Sequence, residues 1–288
     1  MPEGLLSLNA GYARILKEKD MYIVGELINA SRKKIATAIE NKDDKYITRI
    51  AIEQDKAGAD LIDVNAGIFE NHEAEHLQWL VENVQSVTDK PCCIDSPDPK
   101  AIEAALDVYQ GPTTPMINSI SLEKNRWKKL LPILSGSNLQ VVALCMSDEG
   151  MPQTADERLR IADRLINGLV QNGIRVENIF VDPLVLPVAT NSEYGMEFIN
   201  AIQSIMNEFT GVHTVCGLSN ISYGLPERNF LNQTFIIMAI TKGLDSAIID
   251  PLDKRMMGVI RAAEALCGRD EYCKEYIRAY RADLLNFK

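Results

Sequence analysis

The chain of 288 residues is ordinary in its hydrophobic (46%) and charged (24%) content and carries a net charge of −10. That balance argues against a nucleic-acid binder, which needs a basic face, and no run approaches the roughly 18 apolar residues of a membrane span. The length suits either two small domains or one α/β barrel of about 250 residues.

The first segment, MPEGLLSLNAGYARILKEKD, has neither a basic leader region nor a small-residue cleavage site, so no signal peptide is expected. Six cysteines (92, 93, 145, 216, 267 and 273) are spaced irregularly, several inside apolar runs, which reads as reduced core residues in a cytoplasmic protein.

The first predicted strand, MYIVGELI (21–28), brings Glu26 and Asn29 to its end. Residues 45–57 put Ile47, Ile50, Ala51 and Gln54 on one helical face and stop at Gly58. ADLIDVNAG (59–67) carries Asp63 and Asn65 and precedes a helix over 74–87 with Leu77, Leu80, Val81 and Val84 inward. CCIDS (92–96) ends on Asp95 and Ser96, and the helix 98–109 opens with Asp98 as cap and Pro99 at its first position. PMINSIS (115–121) presents Asn118 and Ser119 before a helix over 124–134. QVVALCM (140–146) offers little polar beyond Met146, with Ser147 and Asp148 following.

The next helix, 154–173, starts on a Thr154-x-x-Glu157 capping box and closes on Gly173. NIFVDPL (178–184) ends on Asp182, HTVCGLS (213–219) on Ser219 beside Asn220, and SAIIDP (246–251) on Asp250. Helices are predicted over 195–209, 226–242 and 255–267, and the closing RDEYCKEYIRAYRADLLNFK reads as an additional helix, a clasp or dimer contact.

Eight short apolar strands alternating with eight helices predict a single-domain (β/α)8 TIM barrel over 1–288 with an extra C-terminal helix. A doubly wound open sheet is the structural alternative, but GELINASRK lacks the G-x-G-x-x-G that would follow its first strand.

In such a barrel the strand C-termini form the catalytic face. One aspartate ending a strand can be a helix cap or turn former, and Pro97 after Ser96 and Pro183 after Asp182 show that turn chemistry is present. Seven of eight strands ending in acids, amides or hydroxyls is better read as one shared pocket. The strand ends themselves offer no His, Lys or Arg, so the mouth should repel phosphate. Buried carboxylates need a guest that supplies charge or N–H donors: a hard metal ion or an uncharged, nitrogen-rich heterocycle.

Two motifs are set aside. HEAEH (72–76) matches the H-E-x-x-H zinc helix but opens an amphipathic segment capped by Asn71, with no third ligand in view, and His213 begins a strand at the far end. Cys92 and Cys93 are adjacent in a strand and point to opposite faces, so they cannot readily grip one ion.

At its strand ends the sequence resembles the pterin-binding methyltransferases: the methyltetrahydrofolate:corrinoid protein methyltransferases, the folate domain of cobalamin-dependent methionine synthase and, more distantly, dihydropteroate synthase. GELINAS (25–31), IDVNAG (62–67), CIDS (93–96), MINSIS (116–121), VDPLVLP (181–187), GLSNIS (217–222) and RNFLNQTF (228–235) carry the resemblance, in order. It implies a pterin ring in the barrel mouth, its amino-pyrimidine donors held by Asp95 and Asp182, with Asn118 also on the ring and Asn220 reaching N5. Glu26, Asn29, Asp63, Asn65, Ser96, Gly217, Ser219 and Arg228 match the surrounding motifs. The implied reaction is methyl transfer between N5 of tetrahydrofolate and the cobalt of a corrinoid (cobalamin) carried on a separate protein, with 5-methyltetrahydrofolate as the other folate form, no bound metal and a homodimer. No D-x-H-x-x-G is present, so the corrinoid is expected on a partner docking over the mouth.

A dihydropteroate synthase-like enzyme is the alternative within the family, but it would ordinarily carry a serine-x-arginine anion site and a lysine where this chain reads AIIDPLD and GLSNIS. Outside the family stand a divalent-metal-dependent lyase or aldolase with Glu26, Asp63, Asp95 and Asp182 as ligands, and a non-catalytic pterin carrier.

Overall fold

The computed structural model describes residues 21–286; the signal-peptide expectation concerns residues 1–20 and lies outside them. Strand β1 (Tyr22–Asn29) is followed by helices α1 (Lys33–Glu40) and α2 (Asp44–Lys56), and β2 (Leu61–Asn65) by α3 (Glu73–Gln85). Then β3 (Cys92–Asp95) leads to α4 (Pro99–Asp107), β4 (Met116–Leu122) to α5 (Lys124–Leu134), and β5 (Gln140–Ser147) to α6 (Ala155–Gln171). Next come β6 (Ile179–Asp182) with α7 (Tyr194–Glu208), β7 (His213–Thr214) with α8 (Arg228–Thr241), β8 (Ser246–Ile249) with α9 (Lys254–Leu266), and finally α10 (Lys274–Arg281).

All strand pairs are parallel, in the order β7-β6-β5-β4-β3-β2-β1-β8. The ring closes where chain beyond β7 meets β8: Ile248 N–H donates to Cys216 O at 2.9 Å and Gly217 bridges Ile248. The (β/α)8 barrel is therefore the fold. Parallel strands under a helical shell are covered on both faces, which is why they read as continuous apolar runs. Val24, Leu61, Cys93, Met116, Val142, Phe180 and Val215 fill the barrel interior, while Cys92 packs outward against the helices.

Gly25 marks a close approach: a Cβ there would sit 2.5 Å from Gln54 Oε1. Gln54 is wholly buried and accepts Leu27 N–H at 3.0 Å, so it has nowhere to withdraw. Gly25→Ala is expected to destabilise the fold by roughly 1–3 kcal/mol, the usual cost of overpacking, measurable as a lower urea midpoint with unchanged slope.

Three expectations are corrected. Helix α1 lies where no element was assigned, being only two turns long. Strand seven is two residues, not seven, and Ser219 and Asn220 sit in a 3-10 turn, Leu218–Ser222. Asn71 does not cap α3; another 3-10 turn, Gly67–His72, intervenes, and His72 is the cap residue with no side-chain cap bond. Both sequence-read caps hold: Asp98 accepts Lys100 N–H, and Thr154 with Glu157 forms the reciprocal box.

Candidate active site

Because the strands pair in register, the polar residues at their ends become lateral neighbours. Asn29 lies opposite Asn65, Asn65 opposite Asp95, and Asp95 opposite Asn118. Across the ring Leu144 pairs with Asp182, which brings the strand-six carboxylate to the same rim.

Above this rim is a cavity of about 1000 Å³. Glu26, Asn29, Asp63, Asp95 and Asn118 line one side, and Asp182, Gly217, Ser219, Asn220 and Arg228 the other. Ten of the twelve residues singled out from the sequence thus meet in one space. Asn65 and Ser96 do not line it. Asn65 stands behind Asp95, donating from Nδ2 to Oδ2 at 2.8 Å while its Oδ1 accepts Gly67 N–H at 2.9 Å. Ser96 is buried beneath, its hydroxyl donating to Glu73 and accepting Asp98 N–H. Glu73, the acid of HEAEH, is therefore turned to the β3 loop, while His76 contacts Lys42.

The carboxyls are unusual in charge cost. Asp63 is 2% exposed and Asp182 9%. Burial pushes the Asp63 carboxyl well up, the Asp95 charge adding to it, and one of its oxygens, Oδ1, has no hydrogen-bond partner. Burial raises Asp95 to about 6 against the opposing bond from Asn65, and Asp182 to about 7 against Leu184 N–H and the Arg158 charge. Glu26 is also raised by burial, moderated by its ion pair with Arg32 at 2.7 Å. Carboxyls raised by burial gain from a guest that brings N–H donors, which replace the hydration that burial removes.

The turn bearing Asn220 is fastened from α8. Arg228 Nε donates to Ser222 Oγ at 3.0 Å and Nη2 to Ser219 O at 2.5 Å, and Ser222 in turn donates to Asn232 at 2.7 Å. Gly217, just before the turn, would bring a Cβ to 3.5 Å from Asn220 Nδ2.

The mouth is not without cations. Arg228, expected from the resemblance, and Arg32, which was not expected, both line it from beyond the strand ends. The expectation that the mouth should repel phosphate, drawn from the strand ends alone, left these two cations out. Sequence reading also missed Asn229, Asn232, Asp253 and two arginines outside the cavity wall, Arg126 and Arg158. Arg126 donates to the carbonyls of Ser96, Pro97 and Ser119, tying the ends of β3 and β4 together. Both arginines had a legible signal. Arg126 lies four residues before buried Leu130 and eight before Leu134, and Arg158 four before buried Ala162, placing each charge on the inward face of its helix. Among the described residues, no three or more His, Cys, Asp or Glu side chains group as a metal-holding set.

A closed parallel barrel with a polar cavity at the C-terminal ends of its strands defines the class of barrels that bind small molecules on that face. Within that class the chain belongs to the pterin binding enzyme family, whose model matches residues 25–250. It is 35% identical over 263 residues to the methylcorrinoid:tetrahydrofolate methyltransferase of Eubacterium limosum, covering 91% of this chain and 96% of that one. It is 30% identical over 246 residues to the methionine synthase of Mycobacterium tuberculosis, covering 81% of this chain and 20% of the longer protein. Among solved structures, Xanthomonas albilineans dihydropteroate synthase with 4-aminobenzoic acid superposes with a TM-score of 0.67 at 17% identity, covering 86% of this chain and 93% of that one. A Coxiella burnetii dihydropteroate synthase in complex with pteroic acid gives 0.64 at 14% identity, covering 86% and 94%. These last two share the fold.

Proposed function

We propose that this chain is a methyltransferase moving a methyl group between N5 of tetrahydrofolate and the cobalt of a corrinoid carried on a separate protein, the whole chain acting as one pterin-binding barrel domain. The observation that carries the reading is the convergence of Asp63, Asp95, Asn118, Asp182 and Asn220 on one cavity, with the Asp63, Asp95 and Asp182 carboxyls all raised by burial. The near full-length likeness to a methylcorrinoid:tetrahydrofolate methyltransferase supports it.

In this reading Asp95 and Asp182 accept from the amino and N–H donors of the pyrimidine ring. Asn118 fixes the ring between them. Asn220 hydrogen-bonds at N5, where a carboxamide can accept N5–H through Oδ1 or turn an Nδ2 donor to an N5 that carries no hydrogen, without bringing a charge. The bond that breaks or forms is N5–CH3, and its electron pair stays on N5. N5 takes a proton from solvent at the open rim to give tetrahydrofolate and returns it in the reverse direction; until then the developing negative charge on N5 must be met. Asn220 meets it by position and dipole, so the contribution is electrostatic and geometric more than that of a matched acid. The corrinoid, when docked, supplies the cobalt centre that accepts or gives the methyl group. The open rim leaves N5 accessible to it. A cytoplasmic homodimer belongs to the same reading: α8 exposes Phe230, Leu231, Ile237 and Met238, and no helix among the described residues is long and apolar enough to cross a membrane.

Calorimetric titration with tetrahydrofolate, followed by transfer assays with methylcobalamin in both directions, tests the proposal. Absence of saturable folate binding would end it; binding without transfer to any corrinoid, free or protein-bound, would point to a carrier.

A pH signature should accompany binding. The ring is accepted by ionised carboxylates, whereas in the free protein Asp182 titrates near 7 and Asp95 near 6. Binding therefore releases protons around neutrality, and affinity falls as pH drops through 7 and again through 6, approaching about tenfold per unit per group. Calorimetry in two buffers of different ionisation enthalpy would detect the release; an enthalpy independent of buffer at pH 6.5 would contradict it.

A further inference from the structure

Arg158 is the largest charged side chain in the interior, and the function described so far does not use it. It lies on the inward face of α6 and is 0% exposed. Among the described residues it has no carboxylate partner: Nε donates to Pro183 O at 2.8 Å and Nη2 to Leu184 O at 3.3 Å, while Nη1 is buried without a partner. Those two carbonyls belong to the turn that follows Asp182. The turn is closed on its other side by Leu184 N–H, which donates to Asp182 Oδ1 at 2.8 Å, and Leu184 itself sits at φ +67°, a left-handed conformation that leucine seldom adopts.

A buried guanidinium bound only to neutral carbonyls is a poor way to fill a core. An apolar residue of similar volume would occupy the space without the desolvation cost or the orphaned N–H. The guanidinium does two things an apolar residue cannot. Its planar fork grips two successive carbonyls and holds the turn in its left-handed state, and its charge lies close to the Asp182 carboxylate without neutralising it in a direct pair.

Resting on the folate reading of the pocket, we propose that Arg158 is a positioning residue for substrate binding: it locks the Asp182-Pro183-Leu184 turn so that Asp182 faces the cavity, and favours the ionised form that accepts the ring's donors. Arg158 opposes the burial effect that raises Asp182. The other titratable groups facing this pair are Cys145 from β5 and Cys216 beyond β7, both held neutral by burial, with Glu157, Glu197 and Tyr194 acting on the guanidinium.

The test uses the full chain with tetrahydrofolate as probe. Arg158→Met should weaken binding on the order of 10- to 100-fold, as displaced positioning groups do, and should move the pH midpoint of binding upward. Arg158→Lys keeps the charge but cannot grip both carbonyls, so its midpoint should stay near that of the wild type while its affinity falls about tenfold. In an Asp182→Asn background, adding Arg158→Met should change the residual affinity little, because the effect runs through Asp182.

A ligand-free readout is the 13C-NMR titration of the Asp182 carboxyl, expected to shift upward in Arg158→Met and to stay in place in Arg158→Lys. A merely structural role would lower stability and leave these midpoints unmoved. Wild-type affinity in Arg158→Lys, or fully multiplicative losses in the double variant, overturns the proposal, and the lysine variant serves if the methionine one does not fold. Wild-type protein that does not bind tetrahydrofolate removes the folate reading instead, and the ligand-free titration then judges Arg158 alone.

Discussion

Asn220→Ala is expected to lower the methyl-transfer rate on the order of 100-fold, the scale of losing one group aimed at developing charge, while the tetrahydrofolate dissociation constant changes by only a few-fold. The asymmetry follows from where Asn220 sits. It is carried by a 3-10 turn at the cavity edge, beside the strand end that bears Asp182 and across the mouth from Asp95. In the ground state N5 has little charge to offer, so the carboxamide adds little to binding; as the N5–CH3 bond breaks, the same contact strengthens. Because Arg228 and Ser222 hold the turn by other atoms, the substitution leaves its backbone in place. Single-turnover rates and calorimetric affinities on the same protein would separate the two quantities. Equal losses in both would place Asn220 in ring binding and remove it from the chemistry.

Asp182→Asn is expected to do the opposite at the other end of the ring, and to stabilise the empty protein while doing so. The carboxylate's charge-assisted bonds to the ring would be replaced by an amide that presents a donor to a donor, weakening tetrahydrofolate on the order of 100-fold or more. Stability runs the other way. Asp182 titrates near 7 in the folded chain, well above an ordinary aspartate. The native state therefore binds more protons than the unfolded state between about pH 4 and 7, and stability falls as pH rises through that window. Above pH 7 the buried charge persists as a penalty of roughly 2–4 kcal/mol, estimated from the size of the shift. Asparagine mimics the neutral acid and can still accept Leu184 N–H, so the variant should be more stable than wild type at pH 8 and indistinguishable near pH 4. Urea melts at the two pH values would show it. Loss of stability at pH 8 would mean that Asp182 is structural.

These opposed effects describe a site that stores cost in the empty state. Asp63, Asp95 and Asp182 line one cavity, each raised chiefly by burial, and the Asp95 charge raises Asp63 further. A guest with several N–H donors relieves all of them together.

Much of this was legible in the linear chain. The apolar runs marked the strands because a parallel sheet under helices is buried on both faces. The helix starts at Asp98 and Thr154 were written in cap chemistry, which is local. Acids and amides at strand ends marked the rim, because turn chemistry explains one such residue but not the same habit at seven of eight strands. Ring closure between the chain beyond β7 and β8, the 3-10 turn that presents Asn220, and the retreat of Asn65 and Ser96 behind the wall belong to tertiary structure. So do the grip of Arg158 on the Pro183 and Leu184 carbonyls and the Arg32–Glu26 pair at the mouth. The division has a physical cause: periodicity and capping act within a few residues, whereas which strand-end side chain reaches the cavity depends on register and packing between segments far apart in the chain.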